Sequence, residues 1–114
     1  MKTLSDLNGT VAYRQRIALP PNAIIEVSLQ DVSKADAPAE VLDSVKFPAA
    51  GRQVPFPFTL RYDPAQIDER YTYTVSARIT VDDVLTWIST TQHPVLTRGA
   101  PTDNVEIIVE QVAQ

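Results

Sequence analysis

The amino-acid sequence predicts an all-β fold, a single-domain antiparallel β-sandwich of about seven short strands, on three observations. Polar and apolar residues alternate along most of the chain, most clearly from Tyr71 to Val81. There Tyr71, Tyr73, Val75, Ala77, Ile79 and Val81 interleave with Thr72, Thr74, Ser76, Arg78 and Thr80. A period of two buries one face of a strand and leaves the other in water. The alternating stretches are separated by breaks rich in proline, glycine and aspartate, the punctuation of a β fold. Finally, 114 residues of which 44 % are hydrophobic suffice for one ordinary core, and argue against wholesale disorder.

The first strand is expected over Gly9 to Leu19, with Val11, Tyr13, Ile17 and Leu19 on one face and Arg14 and Arg16 on the other. Residues 1–8 are read as a disordered or appended leading segment, and 9–114 as the domain. Pro20-Pro21-Asn22 ends the strand, because proline has no N–H to give to a ladder. Ala23 to Val32 follows, with Ile25, Val27 and Leu29 inward and a phase slip, hence a bulge or strand end, near Asp31-Val32. A polar loop through Pro38 leads to a third strand over Glu40 to Phe47, the least regular in pattern.

Gln53 to Arg61 sets Val54, Phe56, Phe58 and Leu60 against Pro55, Pro57 and Thr59. Two prolines in one strand require an edge position, with their nitrogens facing away from the ladder. Asp63 is placed to cap a helical turn that opens with Pro64. Tyr71 to Val81, the longest regular strand, belongs at the sheet centre. Asp82-Asp83 turns it into a hairpin with Val84 to Thr91, which carries Trp87. His93 to Pro101 reads as a loop that needs Gly99 for a positive φ, and Asn104 to Val112 as the last strand.

Charge and composition narrow the function classes. A formal net charge of −4 with scattered arginines disfavours a nucleic-acid partner, which needs clustered cations. With no cysteine, disulfides, thiolate metal sites and a cysteine nucleophile are excluded. No run of about 18 apolar residues spans a bilayer, and Met1-Lys2-Thr3-Leu4-Ser5-Asp6 lacks the apolar region of a signal peptide. Two origins fit that start: a cytoplasmic protein, or a mature exported domain behind an added Met1.

Catalytic, metal and cofactor sites are not expected. His93 has no base partner or nucleophile in pattern, Ser89 lies in plain strand alternation, and Asp82-Asp83 suits a solvated turn better than a calcium loop. Asp63 and Asp68 flank a turn. Tyr13, Tyr62, Tyr71, Tyr73, Phe56, Phe58 and Trp87 fit core positions better than a ligand groove. Arg14, Arg16 and Arg78 fit cross-strand pairing, with Glu26 or Glu106, better than a basic stripe. The candidate partner-binding residues are Val54, Phe56 and Phe58, on a proline-bearing edge that an extended or helical peptide could join.

Three segments carry a resemblance to a known family. Gly9-Thr10-Val11-Ala12-Tyr13-Arg14-Gln15-Arg16-Ile17-Ala18-Leu19-Pro20-Pro21 and its continuation from Leu29 through Pro38 resemble the opening of the YbaY/YscW-like lipoproteins. Gly51 to Phe58 with Tyr62-Asp63-Pro64, and Val95 to Pro101, fit the same pattern in order and spacing. The resemblance implies a compact exported β domain, lipid-anchored through an N-terminal cysteine that this chain lacks. It implies residence in the periplasm or at the outer membrane and no enzymatic activity. It also implies a protein partner in the envelope: the YscW branch acts as a pilotin, a chaperone for a secretin. The alternative is a β domain that binds a small molecule, a lipid or a cell-wall fragment.

Overall fold

The structure is a computed structural model that describes residues 4–33, 38–90, 93–97 and 99–112. Eight strands occur among the described residues: β1 (Ser5–Ala12), β2 (Ile24–Asp31), β3 (Glu40–Pro48), β4 (Phe56–Tyr62), β5 (Tyr73–Val81), β6 (Val84–Ser89), β7 (His93–Val95) and β8 (Val105–Gln111). They pair in the order β3-β2-β5-β6-β8-β1-β4, with β7 against β5. The fold is all-β, and it takes the form of one curled, barrel-like sheet rather than two stacked ones. Its end strands β3 and β4 come into contact, but no backbone ladder joins them among the described residues. A buried face satisfies the alternation whether it closes on a second sheet or on itself.

Among the described residues, all pairings but one are antiparallel. β8 lies parallel to β1, with Gly9 opposite Val105 and Val11 opposite Ile107. Tyr73–Val81 is central, flanked by β2 on one side and by β6 and β7 on the other. His93 to Val95, expected in a loop, thus forms a short strand that pairs with β5 on the same side as β6. The Asp82-Asp83 turn has φ of 51° and 63°, both in the left-handed region that closes a two-residue hairpin with the twist of its strands. Gly99 has the expected positive φ of 79°.

The first strand is shifted relative to its expected span. It begins at Ser5, so residues 5–8 belong to the sheet; Leu7 is buried opposite Leu60. Met1 to Thr3 lie outside the described residues. Leu7, Gly9 and Val11 continue the alternation, but Gly9 has no side chain to register as apolar. After Ala12 the chain leaves the sheet, and residues 14–18 are all exposed, with no alternation of burial. Tyr13 explains the departure: its ring stacks on Trp87, and its hydroxyl donates to the Ile17 carbonyl, folding the segment back on itself.

β4 is an edge strand, as Pro57 requires, for among the described residues it pairs with β1 alone; it starts at Phe56, so Pro55 precedes it instead of lying within it. The Arg61 N–H points away from β1, toward Asp43 of β3. Pro57, four residues earlier, shares that direction, so its missing donor falls on the unpaired side. The core gathers Leu7, Val11, Ile25, Val27, Leu29, Phe56, Leu60, Val75, Ile79, Trp87 and Ile107 from six strands.

Candidate functional site

The aromatic edge residues lie where they stabilise rather than where they can be touched. Phe56 faces the core opposite Val11, and Phe58 opposite Gly9, at 1 % and 5 % exposure. Val54 precedes a cis Pro55 and packs partly buried against the same core. The expectation that Val54, Phe56 and Phe58 line a partner groove is therefore corrected for the two phenylalanines. In β4 the alternation that put them on one face put them on the inner face, and burial cannot be read from period alone.

The other singled-out residues are dispersed. Ser89 accepts from the Ala77 N–H at 3.1 Å, so its hydroxyl satisfies backbone. His93 is half-buried in β7 opposite Val75. Asp82 accepts a 2.7 Å hydrogen bond from the Asn22 side-chain amide, which ties the hairpin turn to the loop before β2. Asp63 caps the 3₁₀ turn Pro64–Gln66 by accepting from the Ala65 N–H. Arg78 pairs with Glu26 across β5 and β2 at 2.7 Å, the cross-strand arrangement expected for it. Tyr13, Tyr73 and Trp87 are core, while Tyr62 reaches a cleft.

Accessible concave surface occurs on both sides of β3, and a β-bulge creates it. Opposite the Leu29–Gln30 step of β2, the register passes from Asp43 to Val41, leaving Leu42 as the extra residue. A bulge re-aims the side chains around it. Leu42 and Asp43 consequently both turn to the seam between β3 and β4, while Val41 and Ser44 line the outer face of the sheet.

The seam holds a cleft of about 420 Å³, lined by Leu4, Leu42, Asp43, Arg61, Tyr62, Asp63, Gln66 and Ile67. Leu42, Tyr62 and Ile67 are half-buried against the core and form an apolar floor. Leu4 stands at the lip, 51 % exposed. Asp43 and Asp63 line the cleft with Arg61, and Asp6 lies next to it on β1. Asp6 pairs with Arg61 at 3.4 Å, Asp43 accepts from the Arg61 N–H at 2.8 Å, and Asp63 caps the turn.

The second concavity, about 400 Å³, lies on the outer face of β3, β2, β5 and β6. Its floor is a row of small hydroxyls, Ser44, Ser28 and Ser76, on directly opposed positions of three strands. Ser28 and Ser76 share a hydrogen bond at 3.1 Å, and Gln30 donates to Ser28. Val41 and Ile88 form its walls on the outer two of the four strands, roughly 14 Å apart at the usual strand spacing.

What the described residues offer is accessible concave surface on a β scaffold. The description "Type III secretion system lipoprotein chaperone (YscW)" matches residues 2–107, and the chain belongs to this family. It is 39 % identical over 109 residues to the uncharacterized lipoprotein YbaY of Escherichia coli (strain K12). That alignment takes in 95 % of this chain and 57 % of the relative, so the chain spans little more than half of that protein's length. A solved structure of an alternative pilotin from the type II secretion system of Vibrio cholerae is 44 % identical. It superposes with a TM-score of 0.92 over 98 % of this chain and all of that one.

Proposed function

We propose that this chain is the folded domain of a non-enzymatic envelope lipoprotein of the pilotin class, which binds a segment of an outer-membrane secretin. The observation that carries the reading is the likeness to the Vibrio cholerae pilotin, which extends over that whole chain at 44 % identity. Agreement at that identity reaches beyond shared architecture, which alone would say nothing of function. Membership of the secretion lipoprotein chaperone family points the same way. On this reading the domain works in the periplasm, at the inner side of the outer membrane, and the partner is a protein.

The test is capture of the secretin from the same cell. Domain and secretin are co-expressed, the domain is isolated through an affinity tag, and the bound fraction is identified by mass spectrometry. Co-purification of the secretin is the expected result. A domain that never retains the secretin, and instead carries lipid or glycan, overturns the reading and leaves a ligand-binding β domain in its place.

A further inference from the structure

We propose that the cleft between β3 and β4 is the docking site for a cationic amphipathic segment of the partner. This rests on the reading of the domain as a protein-binding chaperone, and adds to it a place and a chemistry. The two sides of the cleft ask for different things. Leu42, Tyr62 and Ile67 expose apolar surface at the floor, continued by Leu4 at the lip. The rim is acidic: Asp43 and Asp63 line it beside Arg61, whose guanidinium already pairs with Asp6 of β1.

The carboxylates are also held in place. One oxygen of Asp43 accepts from the Arg61 N–H, and one of Asp63 from the Ala65 N–H. No hydrogen bond engages their second oxygens among the described residues, so both remain available to a lysine or arginine of an incoming chain. Fixed charges of this kind cost little to organise on binding, and they complement cations from a partner without recruiting anions. The outer-face groove lacks such a bias, because its Glu26 and Arg78 pair with each other. A partner segment with aliphatic residues along one face and cations along the other satisfies floor and rim together.

The probe is a synthetic peptide of about 18 leucines and lysines at helical spacing, labelled for fluorescence anisotropy. A scrambled peptide of the same composition controls for attraction of any cation to an acidic protein. Amide chemical shifts of the labelled domain report where the peptide sits. Leu4→Lys with Gln66→Lys changes only exposed side chains, and its fold is checked by urea unfolding. Val41→Lys on the outer face is the comparison.

The expected result has four parts. Shifts concentrate at Leu42, Asp43, Tyr62 and Ile67. The double variant loses about tenfold in affinity and Val41→Lys loses none. The scrambled peptide binds more weakly. Raising salt from about 0.05 to about 0.5 M weakens binding. Equal binding of the scrambled peptide overturns the proposal, as do shifts confined to the outer face. Cleft shifts that grow with protein concentration alone make the occupant a second copy of the chain, and overturn it too. A secretin captured equally by wild type and double variant sinks the cleft while sparing the pilotin reading. Peptide binding in the cleft with no secretin captured does the reverse.

Discussion

The ring of Phe58 lies on Gly9, its partner across the β1–β4 ladder, so closely that a Cβ on Gly9 would fall 2.6 Å from the ring. The same Cβ would meet the Val105 carbonyl oxygen at 2.2 Å, because Gly9 also pairs with β8. One residue without a side chain therefore lets three strands and an aromatic ring pack together at the parallel β1–β8 junction. The contact also explains why Phe58 cannot present itself to a partner.

Gly9→Ala is expected to destabilise the domain by about 1–3 kcal/mol, the usual range for forced overpacking, because backbone must move to admit the methyl group. Phe58→Ala removes the ring and leaves a cavity, with an expected loss of about 3–5 kcal/mol. Urea unfolding of both variants checks this. A Phe58→Ala domain of wild-type stability would show that the ring is not core.

Tyr13 and Trp87 stack with ring centroids 4.3 Å apart and planes 17° from parallel. Tyr13→Phe keeps the stack and removes the hydrogen bond to Ile17. Its expected cost is about 0.5–1.5 kcal/mol. Tyr13→Ala opens the buried Trp87 to water, and the emission maximum should shift to the red. Emission that does not move in Tyr13→Ala would show that the ring does not shield Trp87.

Asp83 sits at a φ of 63°, a conformation that glycine adopts without strain. Asp83→Gly should stabilise the β5–β6 hairpin by up to about 1 kcal/mol, read as a rise in the urea midpoint at unchanged slope. Asp82 is the poorer choice for substitution, since it would lose the bond from Asn22.

Arg70 holds the Asp68 carboxyl down to about 2, against an ordinary 3.8, chiefly through its side-chain hydrogen bonds and then through its backbone N–H. A carboxylate depressed in the folded state adds stability that is fully present above its unfolded pKa. That contribution should fade as pH falls from about 4 toward about 2. In Arg70→Ala the Asp68 titration, followed by carboxyl ¹³C shifts, should move up toward 3.8. A titration that stays near 2 would assign the shift to another group.

Local pattern carried much of this. The hairpin at Asp82-Asp83, the capped turn at Asp63-Pro64, the central place of Tyr73–Val81 and the edge position of β4 each follow from a few consecutive residues. Sequence order also carried the family, because the resemblance lies in runs such as Gly9 to Pro21 and Val95 to Pro101. The site was far less legible. Phe56 and Phe58 fit core positions and are also the candidates for a partner on a proline-bearing edge, yet an edge strand still has an inner face, and theirs is buried.

The sequence by itself determined that this protein is all-β, where most strands turn, and which family it joins. These depend on a period of two, on proline and aspartate chemistry, and on residue order, all of which are local. Only the tertiary structure decided that β8 runs parallel to β1, that β3 and β4 meet without a ladder, and that a bulge turns Leu42 and Asp43 together into that seam. Strand pairing joins residues far apart in the chain, and its register is set by how the whole buried face closes. The cleft exists because two edges come near each other without forming a backbone ladder among the described residues, a relationship that no single segment encodes.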